Sequence, residues 1–207
     1  MERLLAEDLM LLTRGDNGKQ LMDGGVRDRG VAGALLADLA AGSRLNCLDE
    51  RLVVVTDKTP TGQPPLDKVL QQISVSGRDR SPRGWVSYLA SPKRAGELRR
   101  LLALRRSTPD YGYVPALRAS IVAQLGEVFA SGTEPGPRTA ALAALVAACG
   151  VSGKLFPNVD RRVRKRRLAE ISAGQWAASG VRNSIRARSL GESAVWLPIA
   201  IILDGLG

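Results

Sequence analysis

The sequence contains no histidine. This absence excludes Ser-His-Asp and Cys-His catalytic arrangements, together with every metal site that depends on histidine ligands. No glycine-rich stretch follows a predicted strand and opens a helix, so no nucleotide-binding loop is predicted. Carboxylates such as Glu50, Asp67 and Asp110 fall in predicted turns or helix starts, where carboxylates commonly cap the backbone. We therefore expect a protein that is not an enzyme and that holds no cofactor or metal.

Cysteine is scarce as well. Cys47 lies in a predicted strand, Cys149 ends an alanine-rich predicted helix, and the chain has no other cysteine. Two thiols without Cys-x-x-Cys spacing indicate small buried side chains in a reducing compartment. We expect both to be unpaired and mostly buried, and a single disulfide between them is the alternative.

Long apolar runs are also absent. The longest of them, residues 194–203, is much shorter than the ~20 residues that a membrane-spanning helix needs. Residues 1–8 are acidic and amphipathic, unlike a signal peptide. These features predict a cytoplasmic protein, either soluble or peripheral to the cytosolic face of a membrane.

Positive charge is what the chain has in excess. It carries 30 Lys and Arg against 20 Asp and Glu, a net charge of +10. Such a surface attracts nucleic acid, anionic lipid or an acidic protein, although the same charge also serves solubility alone. A length of 207 residues with 44% hydrophobic residues predicts one domain, residues 1–207, with a single sizeable core.

Residues 31–62 are the segment around which we expect the fold to be organised. An apolar stripe at helical spacing begins at Val31 and ends at Leu39, and Gly42 follows as the helix stop. Two strand-like runs in residues 44–56 flank an acidic turn, which predicts a β-hairpin. A helix followed by a hairpin fits either the core of a helical domain or a winged-helix unit.

A second hairpin is predicted between Leu101 and Val114. Leu102 and Leu104 alternate with small or basic residues, and Tyr111 and Tyr113 alternate with glycine and valine. The other apolar residues recur at helical spacing, which predicts helices near residues 66–73, 82–89, 121–129, 138–149, 158–171, 175–188 and 191–203. The predicted fold is mainly α: one helical-bundle domain with two short β-hairpins.

Several segments together resemble the Golgi phosphoprotein 3 family, which comprises phosphoinositide-binding Golgi adaptors and many bacterial relatives. They are LAEDLMLL at residues 5–12, GALLADLA at 33–40, TPTG at 59–62 and PRTAALAALV at 137–146. Their order and spacing, more than any one of them, indicate a member of the bacterial type. The resemblance implies an adaptor that binds phosphatidylinositol 4-phosphate and contacts the membrane through the hairpin at residues 101–114, which also mediates self-association.

The resemblance places the lipid headgroup near the start of the organising helix. Family members supply a tryptophan and an arginine there, and alignment on GALL puts Asp23 and Ala32 at those two positions. Arg27 and Arg29 are the nearby candidates to replace them. A basic helix that completes the phosphate site in the family is expected to be absent or much shortened here, with Lys93 and Arg94 as its remnant. The lipid-binding residues predicted in this way are Arg27, Arg29, Lys93, Arg94, Arg99 and Arg100, and the membrane-contacting residues are Leu102, Leu104, Tyr111 and Tyr113.

The densest run of charge, residues 161–167 (RRVRKRR), is a further candidate. It has the composition of a phosphate-binding segment, but a solvated helix face is the favoured explanation. The leading prediction is a peripheral membrane or adaptor protein that binds anionic headgroups through a basic face. The alternative is a nucleic-acid-binding regulator that uses Val31–Leu39 as a recognition helix and residues 44–56 as a wing.

Overall fold

Ten helices and one two-stranded hairpin make up the part of the chain that the computed structural model describes, residues 3–15, 19–106, 115–130 and 134–194. The mainly α prediction is therefore confirmed. The strands are β1 (Leu45–Leu48) and β2 (Leu52–Val55). The helices are α1 (Leu5–Leu11), α2 (Gly24–Ala41), α3 (Pro64–Ser74), α4 (Pro82–Leu89), α5 (Pro92–Arg106), α6 (Pro115–Ala130), α7 (Pro137–Ala148), α8 (Ser152–Leu155), α9 (Arg161–Ile171) and α10 (Trp176–Ala194).

Helix α2 lies at the centre of the fold. Residues 30–36 and Leu39 are all buried, and the helix contacts α1, α3, α4, α7, α10 and β1. It begins earlier than its apolar stripe, because Asp23 caps it by accepting hydrogen bonds from the N–H groups of Gly25 and Val26. The organising helix is thus confirmed, and it is longer at its N-terminus than the stripe indicates.

The first predicted hairpin is confirmed. Strands β1 and β2 pair antiparallel with Leu48 opposite Leu52, and the Arg51 N–H donates to the Leu48 carbonyl at 2.9 Å. Three residues, 49–51, connect Leu48 to Leu52, and Asp49 and Glu50 have φ values of 48° and 55°, the pair of positive φ values found in a type I′ turn. The prediction was therefore right about the turn, although neither turn residue is glycine.

The second predicted hairpin is wrong over its first half, because residues 101–106 continue helix α5. Leu98, Leu102 and Arg105 are buried, and their spacing of four and three residues is that of a helix face. Residues 107–114, which include Tyr111 and Tyr113, lie outside the described ranges. The expectation that the family's basic helix is absent or much shortened stays a prediction, and α5, with 15 residues, carries the predicted basic side chains.

The core continues from α2 into α7 and α10. Residues 142–146 of α7 are buried, as are Ala177, Ala178 and Val181 of α10. Helix α10 packs against α2, α4 and α7, and α9 packs against α6 and α7. Residues 195–207, most of the predicted last helix, are outside the described ranges. Among the described helices, none combines the length and apolar character that crossing a membrane demands.

Candidate functional site

One carboxylate joins two of the predicted basic segments. Arg27 Nε donates to Asp28 Oδ1 at 3.1 Å, and Arg99 Nη1 donates to Asp28 Oδ2 at 2.5 Å. Asp28 is largely buried, whereas both guanidinium groups are partly exposed. The contact brings the start of α2 and the middle of α5 together. We refer to the predicted residues Arg27, Arg29, Lys93, Arg94, Arg99 and Arg100 together as the α2–α5 basic face, in which this contact joins Arg27 and Arg99.

The start of α2 contains a second ion pair that sequence reasoning missed. Arg188 of α10 donates from Nη1 to Asp23 Oδ1 at 3.0 Å, and its guanidinium lies where a side chain at Gly25 would stand. Partial burial raises the pKa of the Asp23 carboxyl, but hydrogen bonds from Val26, Arg188 and Gly25 outweigh it and lower this pKa. Asp23, at the family's tryptophan position, is thus a negatively charged helix cap.

Arg29 is turned toward α10. Its Nη1 donates to the Gly25 carbonyl at 3.1 Å, and its Nε donates to Ser184 Oγ at 3.0 Å. Ser184 in turn lies 2.8 Å from the hydroxyl of Ser87 on α4. Arg29 is therefore held on the edge of the basic face that meets α4 and α10. Ala32, at the family's arginine position, is fully buried, so a headgroup does not reach it.

The α5 end of the basic face rests on an aromatic ring. The Arg94 guanidinium carbon lies 3.6 Å from the centre of the Tyr88 ring, and that of Arg80 lies 4.7 Å from it. Lys93 and Arg100 are exposed, with no ion pair among the described residues. They are seven residues apart and thus lie on one side of α5. Arg80 joins this surface only through the fold and was not predicted.

The predictions for the four membrane-contacting residues have different outcomes. Leu102 is 1% exposed and packs in the core, so its prediction is wrong. Leu104 is 61% exposed, one turn beyond Arg100 on the same side of α5. Tyr111 and Tyr113 are outside the described residues, and self-association through residues 101–114 stays a prediction.

The charge run at residues 161–167 forms the first two turns of α9, capped by Asp160. Two of its side chains bind backbone: Arg164 donates to the carbonyls of Phe156 and Val159, and Arg167 donates to that of Val128. Arg162 and Arg166 are exposed. The run is therefore partly structural, which its composition did not reveal.

The winged-helix alternative conflicts with this geometry. A recognition helix must present its side chains to base edges, but residues 31–36 of α2 are all buried among other helices. The hairpin at residues 44–56 exists, but the helix it would accompany is inaccessible. Among the described residues, no group of three or more Cys, Asp and Glu side chains is placed to hold a metal ion.

Both cysteines are unpaired, as predicted. Cys149 is buried, and burial raises the pKa of its thiol to about 12. Cys47 is only half-buried, and partial burial together with Glu50 raises the pKa of its thiol. Neither thiol is therefore an activated nucleophile.

The Asp38 carboxyl group lies beneath α1 and has a raised pKa. Asp38 Oδ2 accepts the Leu5 N–H at 2.9 Å, and burial raises the pKa of its carboxyl to about 7 against the lowering effects of Leu5 and Arg138. The nearby carboxylates of Asp8 and Glu7 add to the increase. Asp38 thus holds a proton in the folded chain at pH values where the unfolded chain has released it.

This pKa predicts a pH-dependent stability. The ordinary carboxyl pKa is 3.8, so between about pH 4 and pH 7 the folded state binds more protons and the free energy of unfolding falls as pH rises. In urea unfolding, the free energy of unfolding of the wild type should fall between pH 5 and pH 8, and Asp38→Asn should make this fall smaller by about 1–3 kcal/mol. The magnitude follows because a shift of one pKa unit equals ~1.4 kcal/mol. Asp79→Asn, at an exposed site, should leave the loss unchanged. Equal pH profiles for Asp38→Asn and the wild type would contradict the prediction.

The sequence model of the Golgi phosphoprotein 3 (GPP34) family matches residues 5–188. No curated protein matches the chain. The matched range includes every residue of the α2–α5 basic face and the α9 charge run.

Proposed function

Because the chain belongs to the Golgi phosphoprotein 3 family, we propose that it is a non-enzymatic peripheral adaptor that binds anionic phospholipid headgroups through the α2–α5 basic face. Phosphatidylinositol 4-phosphate is the headgroup that the family favours. The chain would act at the cytosolic face of a membrane. The observation that carries the proposal is the carboxylate of Asp28, which holds Arg27 and Arg99 together although 71 residues separate Asp28 from Arg99.

The mechanism is electrostatic. Each Lys or Arg close to an anionic membrane contributes about 1 kcal/mol, and the effect decays within a Debye length. Lys93 and Arg100 are the most accessible members, because they are exposed and make no ion pair in the described part of the chain. Arg27 and Arg99 are pre-positioned by Asp28, so less side-chain freedom is lost when they meet a phosphate.

Leu104 supplies an apolar contribution in place of the predicted hairpin. It lies beside Arg100 and is exposed, so an approach that brings Arg100 to phosphates brings Leu104 to the interface. Burial of its side chain contributes ~25 cal/mol per Å² of apolar area. This part of the binding should resist salt, whereas the arginine part should weaken as salt rises.

The double charge reversal Lys93→Glu with Arg100→Glu should weaken sedimentation with phosphatidylinositol 4-phosphate vesicles at least about tenfold, because two attractive terms of ~1 kcal/mol each become repulsive. Both residues are exposed, so the fold should persist. The matched control is Arg162→Glu with Arg166→Glu, which makes the same charge change on the exposed side of α9. A larger loss in the control would move the membrane-binding face to α9.

A variant that is expected to strengthen vesicle binding provides a second test. Asp28→Asn removes one negative charge from the face and also releases Arg27 and Arg99. The gain in net charge, ~1 kcal/mol, should exceed the loss of pre-positioning, so vesicle binding should strengthen. Asp79→Asn makes the same charge change at an exposed carboxylate that pairs with neither Arg27 nor Arg99, and it should have a smaller effect. Equal binding of the wild-type chain to neutral and anionic vesicles would refute the electrostatic mechanism.

A further inference from the structure

A basic cavity lies on another part of the surface, between α9, α10 and the end of α7. It has a volume of about 610 Å³. Its charged lining residues are Arg161, Arg164, Lys165, Arg182 and Arg186, and no carboxylate lines it. We call it the α9–α10 cavity. The charge run on α9 supplies only part of it, and the two α10 arginines were not predicted.

The cations in this cavity are not neutralised by neighbours. Arg161, Lys165, Arg182 and Arg186 have no carboxylate within ion-pair distance in the described part of the chain. They also form two like-charged pairs, Arg161 with Lys165 and Arg182 with Arg186, each spaced four residues apart on one helix. Like-charged pairs at this spacing destabilise a helix by about 0.2–0.5 kcal/mol each, and a bound anion would offset this repulsion.

Arg164 is fixed in place at the edge of the cavity. Its Nη1 donates to the carbonyls of Phe156 and Val159, both at 2.8 Å. Its guanidinium also packs over Gly153, where a Cβ would lie 3.2 Å from Nη2. A cation held by two backbone carbonyls keeps its charge at one position, and Arg164 does so close enough to the Asp160 carboxylate to contribute to lowering its pKa.

The inner lining has a polar group that needs a partner. Ser172 is buried, and its hydroxyl has no hydrogen-bond partner among the described residues. Buried hydroxyl groups are normally satisfied, because an unsatisfied one is destabilising. Leu168 and Ala169 complete this side of the cavity with apolar atoms. The cavity therefore combines unpaired cations with an unsatisfied hydroxyl.

The positive surface continues beyond this cavity. A second cavity of about 480 Å³ shares Arg182 and Arg186 and adds Arg51 and Arg83, with Glu50 as its carboxylate. The α10 arginines thus lie between two concave basic surfaces. A ligand with more than one phosphate group can therefore contact cations on both sides of Arg182 and Arg186.

The α9–α10 cavity is separate from the α2–α5 basic face. Ser184 and Arg188 of α10 contact residues at the start of α2, whereas Arg182 and Arg186 lie about 160–200° around the helix from Ser184. The two sites therefore use opposite sides of α10.

We propose that the α9–α10 cavity binds a small anion that carries two or more phosphate groups. Its volume is that of a small-molecule site, and its concave shape suits a compact anion better than a flat membrane or a nucleic-acid duplex. Arginine forks hydrogen-bond phosphate oxygens in pairs. This chemistry is supplied from two helices by Lys165 and by the three lining arginines that make no ion pair in the described part of the chain, Arg161, Arg182 and Arg186. A free phosphorylated metabolite and an inositol phosphate headgroup present the same groups.

The test is calorimetric titration of the full chain with inorganic pyrophosphate in 0.1 M salt. Saturable binding is expected, and Arg161→Gln with Lys165→Gln should weaken it at least about tenfold through loss of charge-assisted hydrogen bonds. The matched control, Arg162→Gln with Arg166→Gln, removes the same charge from α9 outside the cavity. Because salt screens charges outside the cavity from the ligand, the control should change the affinity for pyrophosphate less than about twofold. Equal losses in the two variants, or no saturable binding by the wild type, would overturn the proposal.

Thermal unfolding provides a second readout. Pyrophosphate should raise the Tm of the wild type and of the control more than it raises that of the cavity variant. The cavity variant itself should fold, because it removes a repulsive pair. An equal rise of Tm in all three proteins would overturn the proposal as well.

The source of the phosphate is distinguished by competition. If vesicles of phosphatidylinositol 4-phosphate displace pyrophosphate, the cavity takes a lipid headgroup; if they bind without displacing it, the cavity takes a soluble anion. Lys93→Glu with Arg100→Glu should keep pyrophosphate binding. Failure of the lipid-binding function would therefore leave this result intact.

Discussion

Arg105→Ala should lower the free energy of unfolding by about 3–5 kcal/mol, because it leaves a buried carboxylate without its cation. Arg105 Nε donates to Glu7 Oε1 at 2.9 Å, and the two side chains are only 6% and 3% exposed. Glu7 also accepts the Leu4 N–H at 2.8 Å and so caps α1. Arg105 further donates to Gln63, just before α3. One guanidinium thus links α5 to α1 and α3.

Urea unfolding of the full chain measures this effect. Arg100→Ala, on the exposed side of the same helix, should change the free energy of unfolding by less than about 0.5 kcal/mol. Replacing both Glu7 and Arg105 by leucine should be less destabilising than Arg105→Ala, since no uncompensated charge remains. A loss below about 1 kcal/mol for Arg105→Ala would show that the pair is not buried in solution.

Arg105 illustrates why part of the fold was not predictable from the sequence. Its sequence context is a basic run, and nothing local indicates that a glutamate 98 residues earlier is its partner. Leu102 and Leu104 are consistent with both a strand and a helix over such a short distance. Only the packing of Leu98 and Leu102 against the core resolves the ambiguity in favour of α5.

Elements that depend on local chemistry were predicted well. The helix predicted near residues 82–89 is α4, where Ser81 caps the helix by accepting the Gly84 N–H and Pro82 lies in the first turn. The hairpin at residues 44–56 follows from its β-branched strand and acidic turn. Gly42 does end α2, but the left-handed residue is Ser43, with φ of 55°. The residue with positive φ, Ser43, thus lies one position after the glycine that was predicted to end the helix.

The candidate sites were less predictable from the sequence than these local elements, because the sites depend on tertiary contacts. Family resemblance indicated the neighbourhood of Arg27 and Arg99, but the role of Asp28 between them appears only when α2 meets α5. The four-residue spacing of Arg182 and Arg186 is visible in the sequence. Their position opposite the charge run of α9 is not, because it depends on how α9 and α10 pack.

The packing of α4 against α10 leads to the second large effect. Gly180 of α10 lies against the start of α4, where an added Cβ would stand 2.8 Å from the Pro82 carbonyl carbon and 3.0 Å from its oxygen. Backbone atoms cannot rotate away as a flexible side chain does, so the two helices must separate. Helix α10 also carries Ser184 and the cavity arginines, so this contact positions parts of both candidate sites.

Gly180→Ala should therefore destabilise the chain by about 1–3 kcal/mol, although alanine favours a helix over glycine by ~1 kcal/mol. Gly96 of α5 is the matched control, because its added Cβ would meet only Arg99 Nη2, at 4.0 Å. Gly96→Ala should stabilise the chain by about 0.5–1 kcal/mol. Opposite signs in urea unfolding are the expected result. Stabilisation by both substitutions would mean that α4 and α10 are not in close contact at Gly180.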